Sequence, residues 1–258
     1  MSLPNGVRLV TFDATNTLLN FRVPPWEHYA LVAKNYGFKG TGDNLKTKMK
    51  TSYSKMDKEY PNFGKDSISW YKWWSQVIKM TLVDDLPDSK KLSEIAEVLI
   101  NDFKTEKCWR LADGSENILN LLQKSGTDIG VISNFDPRLH DILKNIGIYG
   151  SFKFVLTSYE VGISKPDKEI FELAQNQCGK MIEPEQCLHI GDDFHKDYKG
   201  AKDAKWHSIL INEKYDEKHV NPKHVFKNIE SLHKELLQKK NYGFIEFQLL
   251  NFLDKCCT

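Results

Sequence analysis

The sequence has little that would place the protein at a membrane or on a nucleic acid. Its formal net charge is only +1 over 258 residues, so we expect neither nucleic acid nor an anionic membrane as a partner. It contains no run of about 18 apolar residues, the length that a transmembrane helix needs. Residues 1–6 lack the charged and then apolar plan of a signal peptide. Internal repeats and low-complexity tracts are also absent.

The cysteines are few and scattered. There are five of them, and no pair has the spacing of zinc ligands. An odd, scattered set argues against a disulfide framework and favours a reduced intracellular compartment, which we expect to be the cytoplasm. Apolar residues make up 40% of the chain and aromatic residues 12%. That content suffices for one large domain or for a core with an inserted second unit.

The stretch from Arg8 to Leu19 organises the rest of the chain. Its apolar residues Leu9, Val10 and Phe12 predict a buried strand, which stops at Asp13. An aspartate at the carboxyl end of a first parallel strand lies where open α/β sheets bind their ligands. Asp13 is therefore the first candidate site residue.

Helical periodicity dominates from about Pro24 to Trp109. Residues 69–82 contain a dense set of aromatic side chains at helical spacing, which indicates a packed helix, with a substrate-facing aromatic wall as the alternative. The lysines of residues 45–60 indicate a solvated helix face rather than a phosphate site. These residues predict an α-helical cap.

An alternation of strands and helices resumes near residue 110. Predicted strands at 128–132, 152–157, 186–190 and 206–211 are separated by predicted helices. This order implies an α/β fold with a Rossmann-like, three-layer parallel sheet. We therefore divide the chain into a core, a cap and a tail, with these bounds: core 1–20 and 110–240, helical cap 21–109, tail 241–258. The tail is apolar, which predicts either a helix packed on the core or a surface for a protein partner.

Four sites in this α/β pattern carry motifs that resemble those of the haloacid dehalogenase (HAD) superfamily. The motifs are Asp13 with Thr17 and Leu18, Val131-Ile132-Ser133-Asn134, Lys165-Pro166, and Gly191-Asp192-Asp193 with Asp197. Residues 11–19, 131–136 and 154–158, the last followed by Lys165-Pro166, look like the group of haloacid dehalogenase-like hydrolase domain-containing protein 3 and rhythmically expressed gene 2 protein. The resemblance covers nearly the whole chain to about residue 240 and implies the HAD fold with an inserted helical cap.

The resemblance also implies a role for each motif. Asp13 corresponds to a nucleophile that attacks phosphorus, and Ser133 with Asn134 to the binding site of the transferring phosphoryl group. Lys165 corresponds to a cation that holds both the nucleophile and the phosphate. Asp13, Asp192 and the backbone carbonyl of Thr15 would bind Mg²⁺, a hard cation that prefers oxygen ligands. The expected activity is a Mg²⁺-dependent phosphatase reaction on a small phosphorylated molecule.

Thr15 departs from the pattern of most HAD phosphatases, which carry a second aspartate at this position. That aspartate protonates the leaving alcohol and then deprotonates the attacking water, a contribution of about 10²–10⁴-fold. The threonine hydroxyl cannot act as this acid and base near neutral pH, and the similar group named above also lacks the aspartate. His195 is a possible substitute, but its position equally suits an exposed residue at a helix start.

Three functions remain open on the sequence. The first is the phosphatase, weakened by Thr15. The second is a non-catalytic HAD-fold protein, or pseudophosphatase, that binds a phosphorylated ligand or a protein partner. The third is a 2-haloacid dehalogenase, in which Asp13 would attack carbon without a metal. Asp192 and Asp193 argue against the third, because a metal-free site gains nothing from extra carboxylates that face Asp13.

Overall fold

The computed structural model describes residues 6–179, 181–213 and 220–240. The predicted tail, 241–258, and both expectations for it lie outside the described residues. The strands are β1 Leu9–Phe12, β2 Leu19–Phe21, β3 Trp109–Leu111, β4 Asp128–Ser133, β5 Phe154–Thr157, β6 Cys187–Gly191, β7 His207–Ile211 and β8 Val225–Phe226. The α-helices are α1 Pro25–Lys34, α2 Gly42–Glu59, α3 Pro61–Gly64, α4 Trp70–Leu82, α5 Ser89–Asp102, α6 Ser115–Lys124, α7 Arg138–Asn145, α8 Ser158–Val161, α9 Lys168–Asn176, α10 Gly200–Asp203 and α11 Ile229–Lys240. A π-helix spans Phe194–Lys199.

The described chain forms two compact units. The first, here called the core unit, runs up to Asn20 and includes Leu111–Asn134 and the residues from Ile148 onward. The second, the helical unit, consists of Phe21–Arg110 and Phe135–Gly147. No helix within the described ranges combines the length and the apolar character needed to cross a bilayer.

The core unit contains a six-stranded sheet in the order β5-β4-β1-β6-β7-β8. Every neighbouring pair is parallel, with Phe12 of β1 level with Val131 of β4 and Ile190 of β6. The side chains of Leu9, Val10 and Phe12 are fully buried, because the central strand of a parallel sheet is covered on both faces. The predicted α/β fold with a Rossmann-like parallel sheet is thereby confirmed.

The helical unit packs α1, α2, α4 and α5 around a shared apolar centre. In α4, which begins after the capping hydroxyl of Ser69, Trp73 is fully buried and its indole N–H donates to the carbonyl of Tyr60 at 2.9 Å. Trp74 is half-buried, whereas Tyr71 is 44% exposed. The prediction of a packed aromatic helix is thus confirmed for its inner face, and Tyr71 is the member that lies outside.

Residues 135–147 belong to the helical unit, whereas the sequence-based division put residues 110–240 in the core. The physical reason is a polar and aromatic cluster at the start of α7. The indole N–H of Trp74 donates to the buried carboxylate of Asp136 at 2.7 Å. The guanidinium of Arg138 pairs with the same carboxylate at 2.7 Å and lies 4.7 Å from the centre of the Trp74 ring. Sequence periodicity carries no signal for such a contact.

Candidate active site

Three adjacent strands bring their carboxyl ends to one edge of the sheet. Asp13 follows β1, Ser133 ends β4, and Asp192 follows β6. Because β1 pairs in parallel with both β4 and β6, the side chains that follow these strands share one edge of the sheet. This edge is where open α/β sheets bind ligands.

The ammonium group of Lys165 lies at the centre of this edge. Its Nζ is 2.7 Å from Asp13 Oδ1 and 2.6 Å from Asp197 Oδ1, and it donates to the carbonyl of Ile132 at 2.7 Å. Lys165 is only 3% exposed. Burial alone would lower its pKa, but the two carboxylates outweigh burial and raise it, so the lysine stays charged.

Asp197 is held by a buried chain of hydrogen bonds. Its Oδ1 lies 3.1 Å from Nε2 of His189, and Nδ1 of that ring lies 2.8 Å from the hydroxyl of Thr11. The backbone N–H of Asp193 donates to Asp197 Oδ2 at 2.9 Å. Burial would raise the pKa of Asp197, but Lys165 and His189 outweigh that effect and hold it below its usual range.

His189 is neutral in this network. Burial lowers its pKa despite the hydrogen bond to Asp197. Since the carboxylate needs a donor, Nε2 carries the proton and Nδ1 accepts from the Thr11 hydroxyl. Sequence reasoning missed both residues, because a histidine and a threonine inside buried strands look like ordinary core positions. The available signal was a polar residue within an otherwise apolar strand.

The carboxylates of Asp13, Asp192 and Asp197 can place one oxygen each within 4.8 Å of one another. Burial and the two other carboxylates raise the pKa of Asp192 to about 7, against an opposing hydrogen bond from Asn16. Burial likewise raises the pKa of Asp13, although Lys165 opposes the rise. Three carboxylates around one ammonium group leave negative charge uncompensated, so the donor set fits a hard divalent cation. Lys165, His189 and the backbone of Asp193 already engage Asp197, which leaves Asp13 and Asp192 as the better candidate ligands.

The remaining residues predicted for the site lie nearby in the core unit or at its surface. Thr15 is half-buried and forms an isolated bridge with Leu19 in the turn after β1. Ser133 is buried at the end of β4. The side chain of Asn134 forms hydrogen bonds with the backbone N–H and carbonyl of Lys165. His195 is exposed in the first turn of the π-helix, where its backbone N–H donates to Asp193, as expected for a helix-start residue.

The family model for haloacid dehalogenase-like hydrolases matches residues 7–205 of the chain. This protein therefore belongs to the haloacid dehalogenase-like hydrolase family. It is 38% identical over 248 residues to rhythmically expressed gene 2 protein of Drosophila melanogaster, a match that covers 89% of this chain and 95% of the relative. It is 35% identical over 207 residues to haloacid dehalogenase-like hydrolase domain-containing protein 3 of Bos taurus, covering 80% of this chain and 82% of that one. The resemblance inferred from the motifs is confirmed.

Solved structures show the same fold. The HAD hydrolase YfnB of Bacillus subtilis, described as putative and determined with bound magnesium, aligns with a TM-score of 0.67 and 19% identity. The alignment covers 90% of this chain and 99% of that one. At this identity the likeness supports the HAD fold alone.

Proposed function

We propose that this protein hydrolyses phosphate monoesters of small molecules through an aspartyl-phosphate at Asp13, with Mg²⁺ as cofactor. The observation that carries the proposal is the charge arrangement at the sheet edge. A buried ammonium group contacts the proposed nucleophile at 2.7 Å, and a second carboxylate, that of Asp192, lies close enough to share a cation with it. A phosphate dianion needs such positive charge, because it must approach a carboxylate of the same sign.

Asp13 and Asp192, with the backbone carbonyl of Thr15, would hold the cation. When bound, Mg²⁺ offsets the repulsion between the carboxylate and the phosphate and stabilises the oxygens of the transferring group. Loss of the second aspartate leaves this ligand set intact, because residue 15 contributes a backbone atom that any side chain retains.

Residues of the chain have separate roles in the two chemical steps. An oxygen of Asp13 forms the bond to phosphorus as the bond to the ester oxygen breaks, and that oxygen leaves with the electron pair. Lys165 holds Asp13 in place through the 2.7 Å contact and presents positive charge where the phosphoryl oxygens gain negative charge. Water then attacks phosphorus and loses a proton to the solvent, the bond to Asp13 breaks with its electron pair returning to the carboxylate, and inorganic phosphate leaves. Thr15 cannot supply or remove the protons that these two steps require.

Turnover of p-nitrophenyl phosphate with and without Mg²⁺ tests the proposal. We expect magnesium-dependent release of p-nitrophenolate that is abolished in Asp13→Asn, an isosteric change that removes the nucleophile. Asp203→Asn is a matched control, since Asp203 is an exposed residue paired with Lys199. Activity that survives in Asp13→Asn would rule out the aspartyl-phosphate route.

The second candidate is a pseudophosphatase, a protein that binds a phosphorylated ligand without turning it over. Thr15 is the observation in its favour, because the family's acid and base is missing there. A wild-type protein that is inert on several phosphate esters, yet is stabilised by Mg²⁺ and inorganic phosphate together, would favour this function. Dehalogenation fits the site less well, because Asp192 adds negative charge beside Asp13.

A further inference from the structure

The side chain of Asn134 and the backbone of Lys165 form a closed pair of hydrogen bonds. The Asn134 amide donates to the carbonyl of Lys165 at 2.8 Å, and the backbone N–H of Lys165 donates to Asn134 Oδ1, also at 2.8 Å. The two residues are 31 positions apart in the chain. The amide group thus binds both polar atoms of a single residue, as a neighbouring β-strand would.

This pair fixes one end of a long and flexible side chain. The other end of Lys165 is fixed by the carbonyl of Ile132, which accepts from Nζ at 2.7 Å. Residues 132 and 134 belong to the same short segment at the end of β4, so that segment holds Lys165 by its backbone and by its ammonium group. With both ends held, Nζ has little freedom to leave Asp13 and Asp197.

Asn134 also occupies a special place in the chain. It follows Ser133 directly, and it is the last residue of the core unit before the chain enters the helical unit at Phe135. The two hydrogen bonds between Asn134 and Lys165 fix the end of β4 at the point where the chain leaves the core unit. The backbone of Lys165 and the end of β4 are therefore joined through one side chain.

We propose that Asn134 is a positioning residue for Lys165 and acts on the phosphoryl group through that lysine, instead of binding the phosphate itself. The inference rests on the proposed function, since it assigns a role within the same site. It also differs from the role that family resemblance gave to Asn134. The two roles lead to different outcomes when Asn134 and Lys165 are replaced separately and together.

The first measurement compares kcat on p-nitrophenyl phosphate in wild type, Asn134→Ala and Asn145→Ala. We expect Asn134→Ala to lower kcat by about 10²-fold, a loss that a displacement of roughly 1 Å in a catalytic group can cause. Asn145→Ala is the matched control, because it also deletes an asparagine amide that donates to a backbone carbonyl, that of Lys104 at 2.7 Å. If Asn134→Ala fails to fold, the isosteric Asn134→Asp, which keeps the acceptor and removes the donor, replaces it. An unchanged kcat overturns the proposal.

A double-mutant cycle separates positioning from direct binding. The affinity for inorganic phosphate with Mg²⁺ is measured by calorimetry in wild type, Asn134→Ala, Lys165→Met and the double variant. If Asn134 acts only through Lys165, its loss weakens phosphate binding in the wild-type background and has less than about a twofold effect once Lys165 is gone. The same fold loss in both backgrounds would mean that Asn134 binds phosphate independently, and the proposal would be wrong.

A crystal structure of Asn134→Ala tests the inference without any activity. We expect Lys165 Nζ to move out of hydrogen-bond distance of Asp13 or Asp197. If wild type turns over no ester and binds no phosphate while the lysine is displaced in the variant, the proposed function fails and the positioning role stands. If Nζ stays in place, the positioning role fails whatever the activity.

Discussion

The ammonium group of Lys165 lies as close to Asp197 as to Asp13, with Nζ to Oδ1 distances of 2.6 and 2.7 Å. One positive charge thus serves two buried carboxylates. Asp197 has further support from His189 and from the backbone of Asp193. The negative charge that remains uncompensated in the site therefore lies on Asp13 and the neighbouring Asp192, the two residues proposed to share a cation.

Magnesium should raise the thermal stability of this protein. Binding to the folded state alone adds RT ln(1 + [Mg²⁺]/Kd), about 2.7 kcal/mol at a concentration 100 times Kd. A thermal shift titration at millimolar magnesium measures the effect. Asp192→Ala should remove the stabilisation and Asp203→Ala should keep it. A wild-type midpoint that does not respond to magnesium would count against the proposed cation site.

Asp192 should make a contribution to the stability of the metal-free protein that falls as the pH rises from about 4 to 7. The pKa of Asp192 is about 7 in the folded state, against an unfolded value of about 3.9. Between these values the Asp192 carboxyl holds more protons in the folded state than in the unfolded state, so its contribution to the free energy of unfolding decreases with increasing pH. Urea unfolding in EDTA at several pH values tests this. Asp192→Asn should remove this contribution, so the free energy of unfolding of wild type relative to the variant should decrease with increasing pH. A difference between the two proteins that does not change with pH would contradict the assignment.

Asp197 should contribute to stability in the opposite sense. Its pKa is depressed in the folded state by Lys165 and His189 against the effect of burial, so its contribution is present above its unfolded pKa of about 3.9 and is lost as the pH falls further. Asp197→Asn should therefore lose stability at neutral pH and show a weaker acid transition than wild type. An unchanged acid transition in urea or heat unfolding would contradict the assignment.

Thr15 should make the second chemical step slower than the first when the leaving group is good. p-Nitrophenolate needs little protonation, so Asp13 can attack without an acid, but the water that attacks the aspartyl-phosphate lacks a base. Rapid mixing should show a burst of p-nitrophenolate followed by a slow steady state. Thr15→Asp should raise the steady rate by up to about 10²–10⁴-fold. If that variant is no faster while Asp13→Ala abolishes turnover, another group carries the proton, and His195 would be tested next.

Truncation of Trp73 should destabilise the helical unit more than truncation of Tyr71 in the same helix. Trp73 is fully buried, with an indole N–H that donates to backbone carbonyls, so Trp73→Ala should cost about 3–5 kcal/mol of unfolding free energy. Tyr71 is 44% exposed, and Tyr71→Ala should cost less than about 1 kcal/mol. Chemical denaturation followed by circular dichroism compares them. Equal losses of unfolding free energy in the two variants would show that burial does not determine the cost of truncation in this helix.

The sequence predicted the strands that build the site because each is a run of apolar residues that ends at a polar residue. It also predicted the helical character of residues 21–109, where the structure has α1, α2, α4 and α5. It missed β2, β3 and β8, which span only two or three residues and are too short to show periodicity. It also missed the grouping of 135–147 with the helical unit, which depends on contacts of Asp136 and Arg138 with Trp74.

For the candidate site, the sequence likewise predicted the principal residues and missed those that support them. Family resemblance identified Asp13, Lys165 and Asp192, and strand ends explained why they share an edge. No local pattern gives the support around them, because His189 reaches Asp197 from inside β6 and Asn134 reaches Lys165 across 31 residues. Such contacts depend on three-dimensional packing, and a single sequence does not record them.

Gly191 contributes no functional group, yet it limits what its neighbours can be. A Cβ atom at this position would lie 2.2 Å from Cγ of Asp197, so any larger residue would have to displace the carboxylate that Lys165 and His189 hold. Aspartate at 197 therefore requires glycine at 191. Related chains that keep aspartate at 197 should also keep glycine at 191, and a chain with a larger residue at 191 should have a different partner for its lysine.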